Sequence, residues 1–186
     1  MNKSKINLIN CKVVIVGEAE VGKSSIIQHL TKGEITNKYR MTTKIEVTRV
    51  EVKIPDSNTI VDFYIHDIPG ASRIFGHPKE IMNQIYRDSK YVVFVTDNTT
   101  NSLSIEPWIE SIRDNAGQIP AILISNKEDI NSLDETKFAQ EKIMNYCDHH
   151  SFKHFVSSAK TGKGVKEAFE FMANEFVKND IERLQK

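Results

Sequence analysis

The stretch KVVIVGEAEVGKSS, Lys12 to Ser25, constrains the fold more than any other part of the chain. An apolar run ends at Gly17, four residues follow, and then come Gly22, Lys23 and Ser24. A glycine, four residues and Gly-Lys-Ser, with a strand before and a helix after, is the pattern of a phosphate-binding loop. Glycines let the main chain wrap a phosphate, so that successive N–H groups and the helix N-terminus point at negative charge. The candidate residues are Gly17, Glu20, Val21, Gly22, Lys23, Ser24 and Ser25. Lys23 would neutralise β- and γ-phosphates, and Ser24 would ligate a bridging magnesium ion. Two carboxylates, Glu18 and Glu20, are compatible with this because the main chain does the binding and side chains at 18–20 can point outward. At the pocket mouth, Glu20 should still lower affinity somewhat.

The rest of the chain fits the strand–helix frame that such a loop demands. Near-continuous apolar runs at Lys12 to Gly17, Tyr91 to Asp97 and Pro120 to Asn126, and a weaker one at His154 to Ser158, read as strands buried on both faces. Helical periods over Lys23 to Lys32, Lys79 to Arg87, Leu103 to Asn115, Glu135 to His149 and Gly164 onward alternate with them. Between Ile45 and Asp67 the texture changes to period-two alternation broken by PDSN, a hairpin turning at Pro55 to Asn58. The predicted fold is therefore α/β: a six-stranded, mainly parallel sheet with one antiparallel edge strand and five flanking helices. One domain is expected over 1–186, with residues 1–10 a flexible extension and the polar segment NTTNSLSIEPW supplying N-caps for the third helix.

Bulk properties exclude more than they assign. Lys plus Arg and Asp plus Glu both total 25, which gives no sign of a nucleic-acid or membrane-surface partner. No apolar run is long enough to cross a bilayer, and no signal-peptide core follows the basic start, so a cytoplasmic protein is expected. Cys11 and Cys147 lack metal spacing and read as reduced thiols, and the histidines near 149–154 read as structural.

Base recognition would come from two further loops. Asn126-Lys127-Glu128-Asp129 follows an apolar strand at the carboxyl edge, where open α/β sheets bind ligands. A carboxylate at Asp129 can accept from both N1–H and the exocyclic amino group of guanine, a donor pair that adenine does not offer. Leaving such a site unpaired is costly, so guanine should be strongly preferred. Ser158-Ala159-Lys160 would bring a backbone N–H to guanine O6.

Gly17 to Ser24, Asp67-Ile68-Pro69-Gly70, Asn126 to Asp129 and Ser158 to Lys160 together resemble the motif set of a Ras-superfamily small GTPase. GEAEVGKSS and the Ser104 to Trp108 segment look most like Rabs. YRMTTKIEV and VKIPDSNTIVDFYIHD are similar to the Rab-like GTPase of the intraflagellar transport complex. The resemblance implies GTP/GDP and Mg2+ as cofactors. It implies that Thr42 ligates magnesium and senses the γ-phosphate, with Thr43 as the fallback. Asp67 would hold magnesium through water, the Gly70 N–H would bind the γ-phosphate, Tyr39 would close over the phosphates, and Lys127 would lay its stem along the base. Lys23, Thr42 and Gly70 would then be the catalytic set. It further implies effector, exchange-factor and activating proteins meeting residues 35–46 and 68–88 of a monomer.

Departures from the family pattern shape the functional expectation. Ala71 stands where a glutamine usually orients the attacking water, so hydrolysis should fall below the roughly 10⁻⁴ per second typical of Ras. Arg40 and Arg73 are possible compensators, though each also reads as an exposed charge on a loop. Pro69 should narrow the second switch, which runs about four residues longer than in typical Rabs, and Ile35 replaces a base-contacting phenylalanine. No cysteine follows Cys147, so no lipid anchor is visible, and attachment to membranes or cilia would run through partners. The expected function is a slow guanine-nucleotide switch regulating vesicle or intraflagellar transport. The alternative is a GTP-locked binding subunit of a larger complex, and an ATPase is opposed by Asp129.

Overall fold

The computed structural model describes residues 6–35, 42–55, 57–70, 79–97, 105–130 and 136–184. Its strands are β1 (Asn7–Val16), β2 (Glu46–Lys53), β3 (Thr59–Asp67), β4 (Tyr91–Asp97), β5 (Ala121–Asn126) and β6 (Lys153–Val156). Among the described residues the α-helices are α1 (Lys23–Lys32), α2 (Lys79–Tyr86), α3 (Glu106–Ala116), α4 (Thr136–His150) and α5 (Val165–Leu184). The strands form one six-stranded sheet in the order β2-β3-β1-β4-β5-β6. Only β2 runs antiparallel, at the edge, paired with β3 from Glu46 opposite Asp67 to Lys53 opposite Ile60. The hairpin turns where PDSN predicts it. Ile54 N–H donates to Thr59 O, and Ser57 Oγ accepts the Thr59 N–H at 3.1 Å.

Alternation along the central strands divides the core in two. Val13, Ile15, Val93, Val95, Ile122 and Ile124 pack with Ile26 and Ile27 of α1 and with Ala168, Phe169 and Met172 of α5. Their neighbours Val14, Val16, Val92, Phe94 and Leu123 pack with Met82 and Tyr86 of α2, Trp108 and Ile112 of α3, and Ile143 and Cys147 of α4. Strands filled on both faces read as continuous apolar runs for this reason. Each fully buried side chain of this size contributes about 1.5–3 kcal/mol. Phe63 and Phe169, both fully buried, meet edge to face with centroids 5.9 Å apart. Cys11 and Cys147 are buried free thiols that burial pushes up to about 12 and about 11 respectively, so both are inert.

Three sequence expectations need correction. The flexible extension over residues 1–10 fails from Asn7 onward, because Asn7 to Asn10 pair with Thr59 to Asp62 in β3. Backbone pairing holds this half of β1 although Asn7 and Leu8 are exposed. The third helix begins at Glu106, and its cap residue Ile105 makes no side-chain cap bond. Pro107 in the first turn, which needs no N–H donor there, and burial of Ile105 take the place of a polar cap. Finally, β6 ends at Val156, and Ser157 and Ser158 leave the strand to enter the site loops.

Beyond β1, the face of β2 and β3 on which Val47, Arg49, Glu51, Asp62 and Tyr64 align is partly open. Asp62 is fully buried there, with Arg49 Nε 2.8 Å from both of its oxygens. Among the described residues no helix is long and apolar enough to cross a membrane.

Candidate nucleotide site

The site gathers at the carboxyl ends of β1, β3, β4 and β5. Parallel register sets Asp67 of β3 beside Ile15 of β1, and Asp97 of β4 beside Asn126 of β5. The chain order reverses around β1, the crevice where open α/β sheets bind ligands.

At one end of this crevice lies the loop 17–22, which leads straight into α1. Glu20 is exposed and adopts a left-handed φ of 68°, so its side chain stands away from the loop interior as expected. Gly22 has φ 97°, and any Cβ on it would strike Asn126 Nδ2, which makes glycine obligatory. Lys23 is only 6 % exposed and donates from Nζ to the carbonyls of Gly17, at 2.9 Å, and Glu18, at 2.7 Å. Burial pulls the Lys23 ammonium down to about 8, opposed by the charges of Asp67 and Glu18. An anion placed over the loop would restore its charge.

Ser24 Oγ lies 2.9 Å from Thr42 Oγ1 and donates to Asp67 Oδ2. Three residues expected around one magnesium ion, from α1, the segment before β2 and the end of β3, thus converge. Thr42 rather than Thr43 makes this contact. Asp67 is 4 % exposed, and its Oδ1 is buried without a hydrogen-bond partner among the described residues. Burial raises the Asp67 carboxyl, with the Ser24 hydrogen bond and Lys23 acting against it. Two hydroxyls and one carboxylate, whose second oxygen is orphaned, are hard donors that fit Mg2+ completed by water and phosphate oxygens. Pro69 and Gly70 are buried, and a Cβ on Gly70 would sit 2.6 Å from Ala19 N, so this strand end packs directly on the loop main chain.

The other end is a closed hydrogen-bond network. Asn126, 1 % exposed, donates from Nδ2 to Val21 O at 3.0 Å. Its Oδ1 accepts from Ser157 Oγ at 3.1 Å and from the Ala159 N–H at 3.0 Å. One amide therefore ties loop 17–22 to the segment 157–159, with its capacity turned to protein groups. Asp129 Oδ1 accepts from Ser158 Oγ at 2.6 Å, and Lys160 Nζ lies 3.9 Å from Asp129 Oδ2. Ser158 Oγ also accepts the Thr161 N–H at 3.2 Å. Lys127, at φ 64°, crosses to Asp97 Oδ2 at 2.7 Å.

Asp97 and Ser157 were not singled out from sequence as site residues. Asp97 carries one available signal: it ends an apolar strand at the register position beside Asn126. Ile35, expected at the base edge, packs partly buried against the core that α1 and α5 share. Ser25 lies in the first turn of α1, partly buried. Tyr39, Arg40, Ala71 and Arg73 lie outside the described residues.

Comparison with known proteins decides the family. The model of the Ras family matches residues 12–178, nearly the whole chain. The chain belongs to the Ras family. Within it the relatives are Rab-like small GTPases. The chain is 27% identical over 166 residues to Ras-related protein Rab-5B of Plasmodium falciparum, covering 88% of this chain and 76% of that relative. It is 30% identical over 183 residues to Ras-related protein Rab-32C of Dictyostelium discoideum, covering 95% of this chain and 76% of that relative. It is 28% identical over 180 residues to Intraflagellar transport protein 27 of Chlamydomonas reinhardtii, covering 92% of this chain and 86% of that relative. Members of this family are GTPases that bind GTP or GDP, typically with Mg2+.

Proposed function

We propose that this Rab-like GTPase is a slow guanine-nucleotide switch in which Lys23 and the main chain of residues 17–22 grip the phosphates. Ser24, Thr42 and Asp67 would hold magnesium, and Asp129 and Ala159 would read the base. The observation that carries this reading is the convergence of Ser24, Thr42 and Asp67 beside buried Lys23. Bound magnesium would supply charge neutralisation between β- and γ-phosphates. Lys23 would add a point charge on the same oxygens, with its own charge strengthened by the anion it binds. Thr42 would report the γ-phosphate through its side chain, ordering the loop it belongs to. The Gly70 N–H would bind the γ-phosphate from the second switch, whose tight seat on Ala19 supports that placement.

Ala71 cannot hydrogen-bond an attacking water, so turnover without an activating protein would be slow. The same residue favours a second reading, a GTP-locked subunit whose value is the surface it presents. Similarity to an intraflagellar transport protein over 86% of that relative's length supports a role in transport along cilia or between membranes, exercised through partners at residues 35–46 and 68–88. We further propose a single domain working as a monomer.

Denaturing protein that has been loaded with GTP and Mg2+ for several hours, and identifying the released nucleotide by chromatography, tests the switch. GDP is the expected product; intact GTP would put the locked subunit first. For base reading, Asp129→Asn should shift preference from guanine to xanthine nucleotides, and unchanged preference would remove Asp129 from that role.

A further inference from the structure

Behind the base loops stands a side chain that no motif includes. His29 occupies the last turn of α1, the helix that begins at Lys23, and its carbonyl accepts the Gly33 N–H that ends that helix at 2.8 Å. The Nε2 side of its ring lies against Gly162: a Cβ added there would fall 2.7 Å from Cε1 and overlap Nε2. Gly162 sits at φ +86° and donates its N–H to Ser158 O at 2.8 Å. Ser158 in turn holds Asp129 through its hydroxyl, and the next residue, Ala159, is held by Asn126. His29 Nδ1 is buried with no hydrogen-bond partner among the described residues. The ring is therefore used for its shape, since an unpaired buried nitrogen is a cost that packing must outweigh.

We infer that His29 is a positioning residue for base recognition: its ring braces the 158–162 loop from behind, so that it sets how long a guanine nucleotide stays bound. A single packed contact thus joins the phosphate-gripping helix to the loop that carries Ser158 and Ala159. Without the brace, Ser158 gains freedom, and Asp129 loses the partner that aims it. This inference rests on the guanine-nucleotide reading above.

The test is the release of fluorescently labelled GDP and of the matching inosine diphosphate, which lacks the amino group that Asp129 would accept. His29→Ala should release GDP roughly tenfold faster, equivalent to about 1.4 kcal/mol. Its effect on inosine diphosphate should be smaller, so that the difference between the two nucleotides shrinks. His29→Phe keeps the planar brace without the orphaned nitrogen and should hold GDP as long as the wild type. Equal acceleration of both nucleotides by His29→Ala, an unchanged GDP rate, or failure of His29→Phe to restore it would overturn the proposal. Gly162→Ala approaches the contact from the other side and remains informative if His29→Ala folds poorly. It should speed release in the wild-type background and do so less when His29 is already alanine, whereas strictly additive effects would overturn the contact. Wild-type protein that binds no guanine nucleotide would instead sink the functional reading itself.

Discussion

The two ends of the crevice are built on opposite terms. Around Asn126 and Asp129 the side-chain hydrogen bonds close within the protein: Val21 O, Ser157 Oγ, Ala159 N–H and Ser158 Oγ are all engaged. Around Lys23 and Asp67, burial outweighs the partners present: the ammonium is weakened despite its two carbonyl acceptors, the carboxyl is raised, and Asp67 Oδ1 has no partner among the described residues. One end closes on protein atoms; the other is left for a ligand to complete if the proposed reading holds. On the proposed reading, shape would be prepared where the base is discriminated, and unspent charge stored where phosphate and magnesium would arrive.

Changing each end separately sharpens the contrast. Lys23→Met should weaken GTP binding by at least roughly 100-fold in equilibrium titration, about 2.7 kcal/mol, while leaving the unliganded fold intact or firmer. A loss of fold in that variant would mean that Lys23 is a structural group. Asn126→Ala should do the reverse, lowering stability by about 2–4 kcal/mol in urea unfolding without nucleotide, because it strands a buried carbonyl, hydroxyl and N–H together. Stability within 0.5 kcal/mol of wild type, on the order of a surface change, would deny the finished network.

Titration gives the next contrast. Lys23 has a folded value of about 8, below its unfolded one, so its charge destabilises the empty protein at neutral pH. That penalty lifts as pH rises from about 8 toward the unfolded value near 10.5. GTP affinity should fall over the same range, since binding then requires proton uptake, and a flat profile to pH 9 would refute it. For Asp67 the folded value is raised, so the folded state keeps its proton longer and stability increases as pH falls through that window. Asp67→Asn should accordingly raise the melting temperature of the empty protein at pH 7, by less than Asn126→Ala lowers it, and the gain should vanish once pH drops below the ordinary carboxylate range. Smallest of all, Lys163→Ala removes an exposed pair with Glu128 and should change stability by no more than about 0.5 kcal/mol.

Strands buried on both faces were readable because Val14, Phe94 and Leu123 are as apolar as Val13, Val93 and Ile122. The opening half of β1 was not, because Asn7 and Asn10 are exposed and backbone pairing leaves no mark on residue type. The residues of the site loops were legible as spacings, and Ser24, Thr42 and Asp67 do meet. Spacing did not reveal the division of labour among them. Asn126 spends its amide on the protein, and Lys127 reaches across 30 positions of sequence to Asp97. The His29 contact was invisible for the same reason, since a ring against a glycine leaves no periodic or motif trace.

The Arg49 and Asp62 pair on the open face of β2 and β3 bears on behaviour in a crowded solution. β2 is an outer strand, and among the described residues no strand pairs with its other side, which another extended chain could join. Along it Glu46, Arg49, Glu51 and Lys53 are exposed, and Arg49 is clamped over a carboxylate that burial would otherwise leave uncompensated. Any chain adding itself there would have to lie among four charges and avoid prying Arg49 loose. Charges placed along an outer strand in this way make edge-to-edge addition of another extended chain costly.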